Sequence, residues 1–143
     1  MLIRPWLKSD NQSVEKIERE CFSDPWNISM IESTTSLAGF IGYVVEDNGE
    51  IVGYIGSSYI FEDGEILLVA VKGDYRRKGY AEKLILTLFE TLKNLNVEHI
   101  FLEVRKSNLP AKKCYEKCGF SVIGERKRYY SDGEDALIME KRI

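Results

Sequence analysis

The sequence predicts an α/β fold: a mixed, mostly antiparallel central sheet of about seven strands flanked by about four helices. Two observations predict it. The first half carries strand–turn–strand patterns, of which Asn48-Gly49 between two apolar runs is the strongest. The second half alternates strand-like and helix-like periods: Glu65 to Val71, Tyr80 to Leu95, His99 to Val104 and Leu109 to Lys117. Hairpins followed by strand–helix–strand units place helices on the faces of a sheet. No repeat or linker interrupts the 143 residues, so the length predicts a single domain over 1–143.

The elements follow in order. Leu2 to Arg4 reads as a short strand. Ser9 or Asp10 caps a first helix that runs to about Cys21, with Val14 and Ile17 on its apolar face. Pro25 breaks that helix, and a second short one spans Asn27 to Ser33. Ile41 to Glu46 and Ile51 to Tyr59 form a hairpin, and Asp63-Gly64 supplies the turn into the next strand. Leu84, Leu88, Leu92 and Leu95 recur at helical spacing in the third helix. Gly119 closes the fourth. Ser121 to Arg128 and Asp135 to Lys141 make a final hairpin around Ser131-Asp132-Gly133.

Composition narrows the function. A net charge of −3 argues against binding nucleic acid by phosphate neutralisation. Met1 to Asp10 holds no apolar signal segment, and no apolar run approaches a membrane span, so the expected setting is cytoplasmic, with no membrane partner. Cys21, Cys114 and Cys118 are an odd set, and His99 is the only histidine. Reduced thiols are expected, and no metal.

One segment carries the chemistry. Arg76-Arg77-Lys78-Gly79-Tyr80-Ala81 lies between a strand-like run and a helix. The first N–H groups of a helix have no partner inside it, and with the helix dipole they attract anions. Glycine lets a ligand approach the backbone closely. The segment reads as a pyrophosphate cradle, or as a basic surface turn. It lacks the Gly-Lys-Ser/Thr of a Walker loop and the G-x-G-x-x-G of a dinucleotide site.

The segment resembles the [Q/R]-x-x-G-x-[G/A] loop of the GNAT family of N-acetyltransferases, which holds acetyl-coenzyme A there. Leu102-Glu103-Val104-Arg105, Ser107-Asn108, Ala111, Cys114-Tyr115-Glu116 and Gly119-Phe120 follow in that family's order and spacing. The resemblance is strong from Glu65 to Phe120 and looser before it. It is greatest to RimI-type members, which acetylate the N-terminal alanine of a small-subunit ribosomal protein. The Phe22 to Trp26 stretch, Arg128-Tyr129-Tyr130 and the segment from Glu134 to Met139 support this.

The resemblance implies a sheet splayed between the fourth and fifth strands, with the cofactor in the slot. It implies cofactor contacts from Val69, Ala70, Val71, Arg76, Arg77, Lys78, Gly79, Tyr80, Ala81, Glu82 and Asn108. It implies Glu103 as general base and Tyr115 as the acid that protonates the leaving thiolate. Phe22, Trp26, Tyr129 and Tyr130 stand where relatives shape a peptide slot. The partner is then a protein or peptide N-terminus, and the assembly a monomer or weak dimer.

Each residue also has a plainer reading. Glu103 would be an outward strand carboxylate paired with Arg105 or another cation. Tyr115 would pack under the sheet, Asn108 would cap a helix, and the four aromatics would be core or lid. Arg105 reads as a surface charge or, alternatively, as a cofactor contact. Three positions depart from the family pattern: Arg76 stands for Gln, Gly73 for Pro, and Ser23-Asp24 lengthens the Phe-to-Trp segment.

The chemistry suits an α-amine. Only the neutral amine attacks a thioester, and at neutral pH deprotonation costs roughly 1 kcal/mol for an α-amine against roughly 4–5 for lysine. Three other readings remain: a GNAT enzyme for a small amine, polyamine or lysine, a non-catalytic acetyl-coenzyme A sensor, and an interaction domain with no cofactor.

Overall fold

A computed structural model describes all 143 residues. The strands are β1 (Leu2–Pro5), β2 (Phe40–Asp47), β3 (Glu50–Ile60), β4 (Asp63–Val71), β5 (His99–Arg105), β6 (Ser121–Arg126) and β7 (Ala136–Arg142). The helices are α1 (Asn11–Cys21), α2 (Ile28–Thr35), α3 (Tyr80–Asn94) and α4 (Leu109–Lys117). One sheet holds all the strands in the order β1-β2-β3-β4-β5-β7-β6. Only β4 and β5 run parallel; every other neighbouring pair is antiparallel.

Local chemistry explains most boundaries. Asn48 and Gly49 take φ values of 54° and 76°, the left-handed pair that a tight hairpin turn needs. Asn27 caps α2 by accepting from the Met30 N–H at 2.9 Å. Asn108 caps α4 by accepting from the Ala111 N–H at 3.2 Å. Gly119 ends α4 with φ 98°.

Four details differ from the sequence reading. The β3–β4 turn falls at Phe61-Glu62, because Asp63 and Gly64 already pair with Ile60 and Tyr59. Asp10 precedes α1 but does not cap it through its side chain. Its carboxylate turns back to the Leu7 N–H and to Arg4, which a cap would forgo. Leu95 lies beyond the end of α3 and is half-exposed, while Ile85 takes the buried place. The β6–β7 connection is a wide loop from 127 to 135, because Arg126 already pairs with Ala136.

Two cores grip the sheet. On one face α3 buries Leu84, Ile85, Leu88 and Leu92 against Ile100, Leu102, Val104, Leu137 and Met139. On the other, Val14, Ile17 and Ile31 from α1 and α2 pack with Trp6, Val44, Tyr54 and Leu68. α1 and α2 lie over β2, β3 and β4. Along β5 the buried residues are Ile100, Leu102 and Val104, so Phe101, Glu103 and Arg105 face the side of the sheet on which α1 and α2 lie.

Candidate functional site

The site begins where the sheet comes apart. β4 and β5 pair from Asp63↔His99 to Glu65↔Phe101 and no further. β5 stays paired with β7 as far as Arg105↔Ala136. The pairing of β3 with β4 shifts between Gly56 and Ser57, leaving Leu67 without a partner. Such a bulge bends its strand, and here it turns the end of β4 away from β5. The gap is a cavity of about 580 Å³ lined by Leu67, Leu68 and Val69 on one side and by Glu103, Val104 and Arg105 on the other. Phe22, Trp26, Asn108, Tyr115, Tyr129 and Tyr130 line it too, although they come from three separate segments.

The parted stretch of β4 keeps free main-chain groups. The Lys72 N–H donates to Val52 O at 2.8 Å, so by the alternation of an antiparallel ladder Ala70 also bonds to β3. Val69 and Val71 then turn their amides and carbonyls towards the gap. The Arg76 Nε donates to the Val71 carbonyl at 3.0 Å.

At the end of the gap the chain turns from β4 into α3. Gly79 precedes the helix with φ 78°, and Arg77 has φ 64°. The first helical bond runs from Lys83 N–H to Gly79 O, and the amides from Arg77 to Glu82 find no acceptor within the chain. This row of donors at the positive end of a helix fits a diphosphate. A side chain at Gly79 would meet open space, so only its backbone angle demands glycine. The Tyr80 side chain is buried and donates to Asp47, and Glu82 pairs with Lys117 at 3.2 Å. Both residues therefore offer a ligand their main chain.

Glu103 projects from the middle of β5. One oxygen accepts from Arg126 Nε at 3.0 Å; the other is buried with no partner. The cation beside it is Arg126 of β6, not Arg105. The neighbouring Glu103 carboxylate, and then burial, push the Tyr129 hydroxyl up. Burial and then the Glu103 charge push Glu65 up. Tyr115 rises from α4 with its ring edge-on to Phe120, 6.1 Å between centroids. Burial raises its pKa well above the usual phenol value.

Two walls flank this pair. One is the Phe22–Trp26 segment, which links α1 to α2. The other is the β6–β7 loop, where Tyr129 and Tyr130 stand edge to face at 5.1 Å. Ser131 of that loop donates to Asp24 of the first wall at 3.2 Å.

Sequence reasoning missed three residues. Arg105 is not a bare surface charge: it lies 4.1 Å over the Tyr130 ring and donates to Asp132 at 2.9 Å and Glu134 at 3.0 Å. Arg126 was invisible because only the β5–β7–β6 register brings it to Glu103. Glu18 is buried on α1, lines the cavity, and accepts from Tyr54 and from the Trp26 N–H. Its signal was present in the sequence, since Val14, Ile17 and Glu18 share one helical face and an acid there is out of place.

The three cysteines are free thiols. The Cys118 thiol draws Cys114 down to about 7, and Cys114 in turn holds Cys118 up. The only histidine opens β5, beside Glu140 at 3.7 Å, and does not line the cavity.

Known proteins are similar to this chain. An uncharacterised N-acetyltransferase of Methanocaldococcus jannaschii is 38% identical over 99% of this chain and 92% of its own. An N-alpha-acetyltransferase of Saccharolobus solfataricus is 42% identical over 75% of this chain and 70% of its own. The crystal structure of the ribosomal-protein-alanine N-acetyltransferase of Escherichia coli superposes with a TM-score of 0.93 at 28% identity, covering 99% of this chain and 93% of that one. The model of the acetyltransferase (GNAT) family matches residues 11–120. With the splayed β4 and β5, the open amides around Gly79 and these relatives in view, the chain belongs to the GNAT family of acetyltransferases.

Proposed function

We propose that this acetyltransferase uses acetyl-coenzyme A to acetylate the α-amine of a protein N-terminus, in the cytoplasm, with the N-terminal alanine of a small-subunit ribosomal protein as its acceptor. One observation carries the reading. The gap between β4 and β5 leads to an anion cradle at the start of α3, and Phe22, Trp26, Tyr129 and Tyr130 line it together with Glu103. The names of the Saccharolobus and Escherichia relatives support the α-amine and the ribosomal acceptor.

Acetyl-coenzyme A supplies the acetyl thioester. The amides from Arg77 to Glu82 would hold its diphosphate, and Asn108 and the open edge of β4 would hold its arm. Arg76, Arg77 and Lys78 add charge at the cradle. The Val69 and Val71 amides, turned into the gap, would be the donors available to negative charge developing on an acetyl oxygen held there. Glu103 takes a proton from the incoming ammonium through the buried oxygen that has no partner. Tyr115, held protonated by burial, gives its proton to the departing sulfur. Phe22 and Trp26 face Tyr129 and Tyr130 across the space for the first residues of the acceptor.

A panel of peptides that differ only in their first residue tests this, run beside spermidine and an internal lysine and read by mass spectrometry. Acetylation of the α-amine of alanine-first peptides is expected. Preferential modification of spermidine or lysine would reassign the acceptor. Cofactor binding with no acetylated product from any acceptor would make the protein a sensor.

A further inference from the structure

Glu18 has no part in the chemistry above, yet it is a carboxylate 3% exposed beside the cavity. Burying a charge is costly unless its oxygens are satisfied, so such a group needs a reason. Its two oxygens have different partners. One accepts from the hydroxyl of Tyr54, a fully buried residue at the centre of β3 that stands edge-on to Trp6. The other accepts from the Trp26 main-chain N–H at 3.0 Å. Burial raises the pKa of Glu18, and the bonds from Tyr54 and Trp26 oppose the rise.

The segment that Glu18 holds cannot hold itself. Past Phe22, the Ser23 and Asp24 amides have no acceptor within the chain, and Pro25 has no N–H to offer. The Trp26 bond to Glu18 is thus the first main-chain tie after the end of α1. One turn earlier on α1, Glu15 accepts from the Ile28 N–H at 2.8 Å. Two carboxylates on one helix therefore clasp the returning chain, and the buried one sits under the wall residue.

We propose that Glu18 is a specificity-determining positioning residue, which ties the Trp26 main chain to the Tyr54 core and so sets the width of the slot for the acceptor's first side chain. The inference rests on the N-terminal acetyltransferase reading. Without the tie Trp26 is free to shift, the slot widens, and bulkier first residues enter. The cofactor mouth lies on other elements and should not feel the change.

Three variants test the proposal: Glu18→Ala, Glu18→Gln and Tyr54→Phe. Kinetics with alanine-first and leucine-first peptides and with acetyl-coenzyme A are combined with hydrogen exchange at the Trp26 amide. In Glu18→Ala, acceptor KM should rise about tenfold, the energy of one charge-assisted hydrogen bond. The preference for alanine over leucine should narrow, with acetyl-coenzyme A KM unchanged. Glu18→Gln should restore both, since its amide can accept from Trp26 and face Tyr54. Tyr54→Phe should move acceptor KM the same way by less. The Trp26 amide should be protected in wild type and Glu18→Gln and exchange fast in Glu18→Ala. Unchanged acceptor KM and selectivity in Glu18→Ala would overturn the proposal, and so would a Glu18→Gln variant that loses kcat with KM intact. If the wild type acetylates no peptide, the proposed function fails. Hydrogen exchange still decides the clasp: a Trp26 amide that exchanges fast in wild type defeats it.

Discussion

In the proposed mechanism Glu103 and Tyr115 handle two different protons, one taken from the amine and one given to the sulfur. Glu103 holds a buried oxygen with no hydrogen-bond partner, and Tyr115 holds a proton that burial makes hard to lose. Glu103→Gln removes the base without changing shape, and Tyr115→Phe removes only the hydroxyl. Each should lower kcat about 10²-fold or more, the usual worth of a positioned acid or base, with acetyl-coenzyme A KM unchanged. Rapid-quench turnover of both variants checks this, and wild-type rates would remove the roles. The raised pKa of Tyr115 has a consequence with a definite sign. The protonated form persists above the ordinary phenol range, so kcat should not fall through pH about 10 because of this residue. A pH–kcat profile that drops there only when Tyr115 is present would contradict it.

At the level of single elements, two connections shape the site. The entry to α3 needs the left-handed backbone of Gly79. Gly79→Ala adds a methyl into open space, so the penalty is purely conformational, about 1–2 kcal/mol. The chain would relieve it by turning the amides of the cradle. Acetyl-coenzyme A affinity should therefore fall about tenfold or more, the factor that 1.4 kcal/mol implies, while thermal stability drops only slightly. Isothermal calorimetry with coenzyme A reads the first, and a thermal melt the second. The β6–β7 loop depends on Arg105, which clamps Tyr130 from above and ties Asp132 and Glu134 to the end of β5. Glu134 also accepts from the Ser107 N–H at 2.9 Å. Arg105→Ala should loosen the tyrosine wall and raise acceptor KM severalfold, in keeping with about 1 kcal/mol for such a cation–π contact. Steady-state kinetics with saturating acetyl-coenzyme A would show it, and an unchanged acceptor KM would return Arg105 to the surface.

Across the whole molecule, one core packs α3 against strands on both sides of the gap, and the other packs α1 and α2 on β2, β3 and β4. One electrostatic tie at the rim responds to pH. Asp10 is 5% exposed and accepts from Arg4 at 2.8 Å and from the Leu7 N–H at 2.7 Å. Burial pushes its pKa up, but the Arg4 and Leu7 bonds outweigh that and leave it below the usual carboxylate range. A lowered folded-state pKa means the stabilisation is complete above the unfolded value. It is lost as pH falls through the folded one. Acid unfolding monitored below about pH 4 should show a shallower limb in Asp10→Asn than in wild type, and a lower plateau at neutral pH. Identical limbs would mean the tie contributes nothing.

The amino-acid order determined what short-range physics can determine. It set the element types, the Asn48-Gly49 turn, the Asn27 and Asn108 caps and the glycine that opens α3, because each depends on residues within one helical turn or one hairpin. The resemblance carried by their order and spacing also pointed to the segments that line the cavity. It did not show that Asp63-Gly64 lies inside β4, since which residues turn is settled by pairing with β3. Nor did it show which cation meets Glu103, what Arg105 holds, or why an acid sits among the apolar residues of α1. The last three depend on groups far apart along the chain, as far as Glu18 from Tyr54. Only the folded sheet, with β7 set between β5 and β6, brings them within hydrogen-bonding reach.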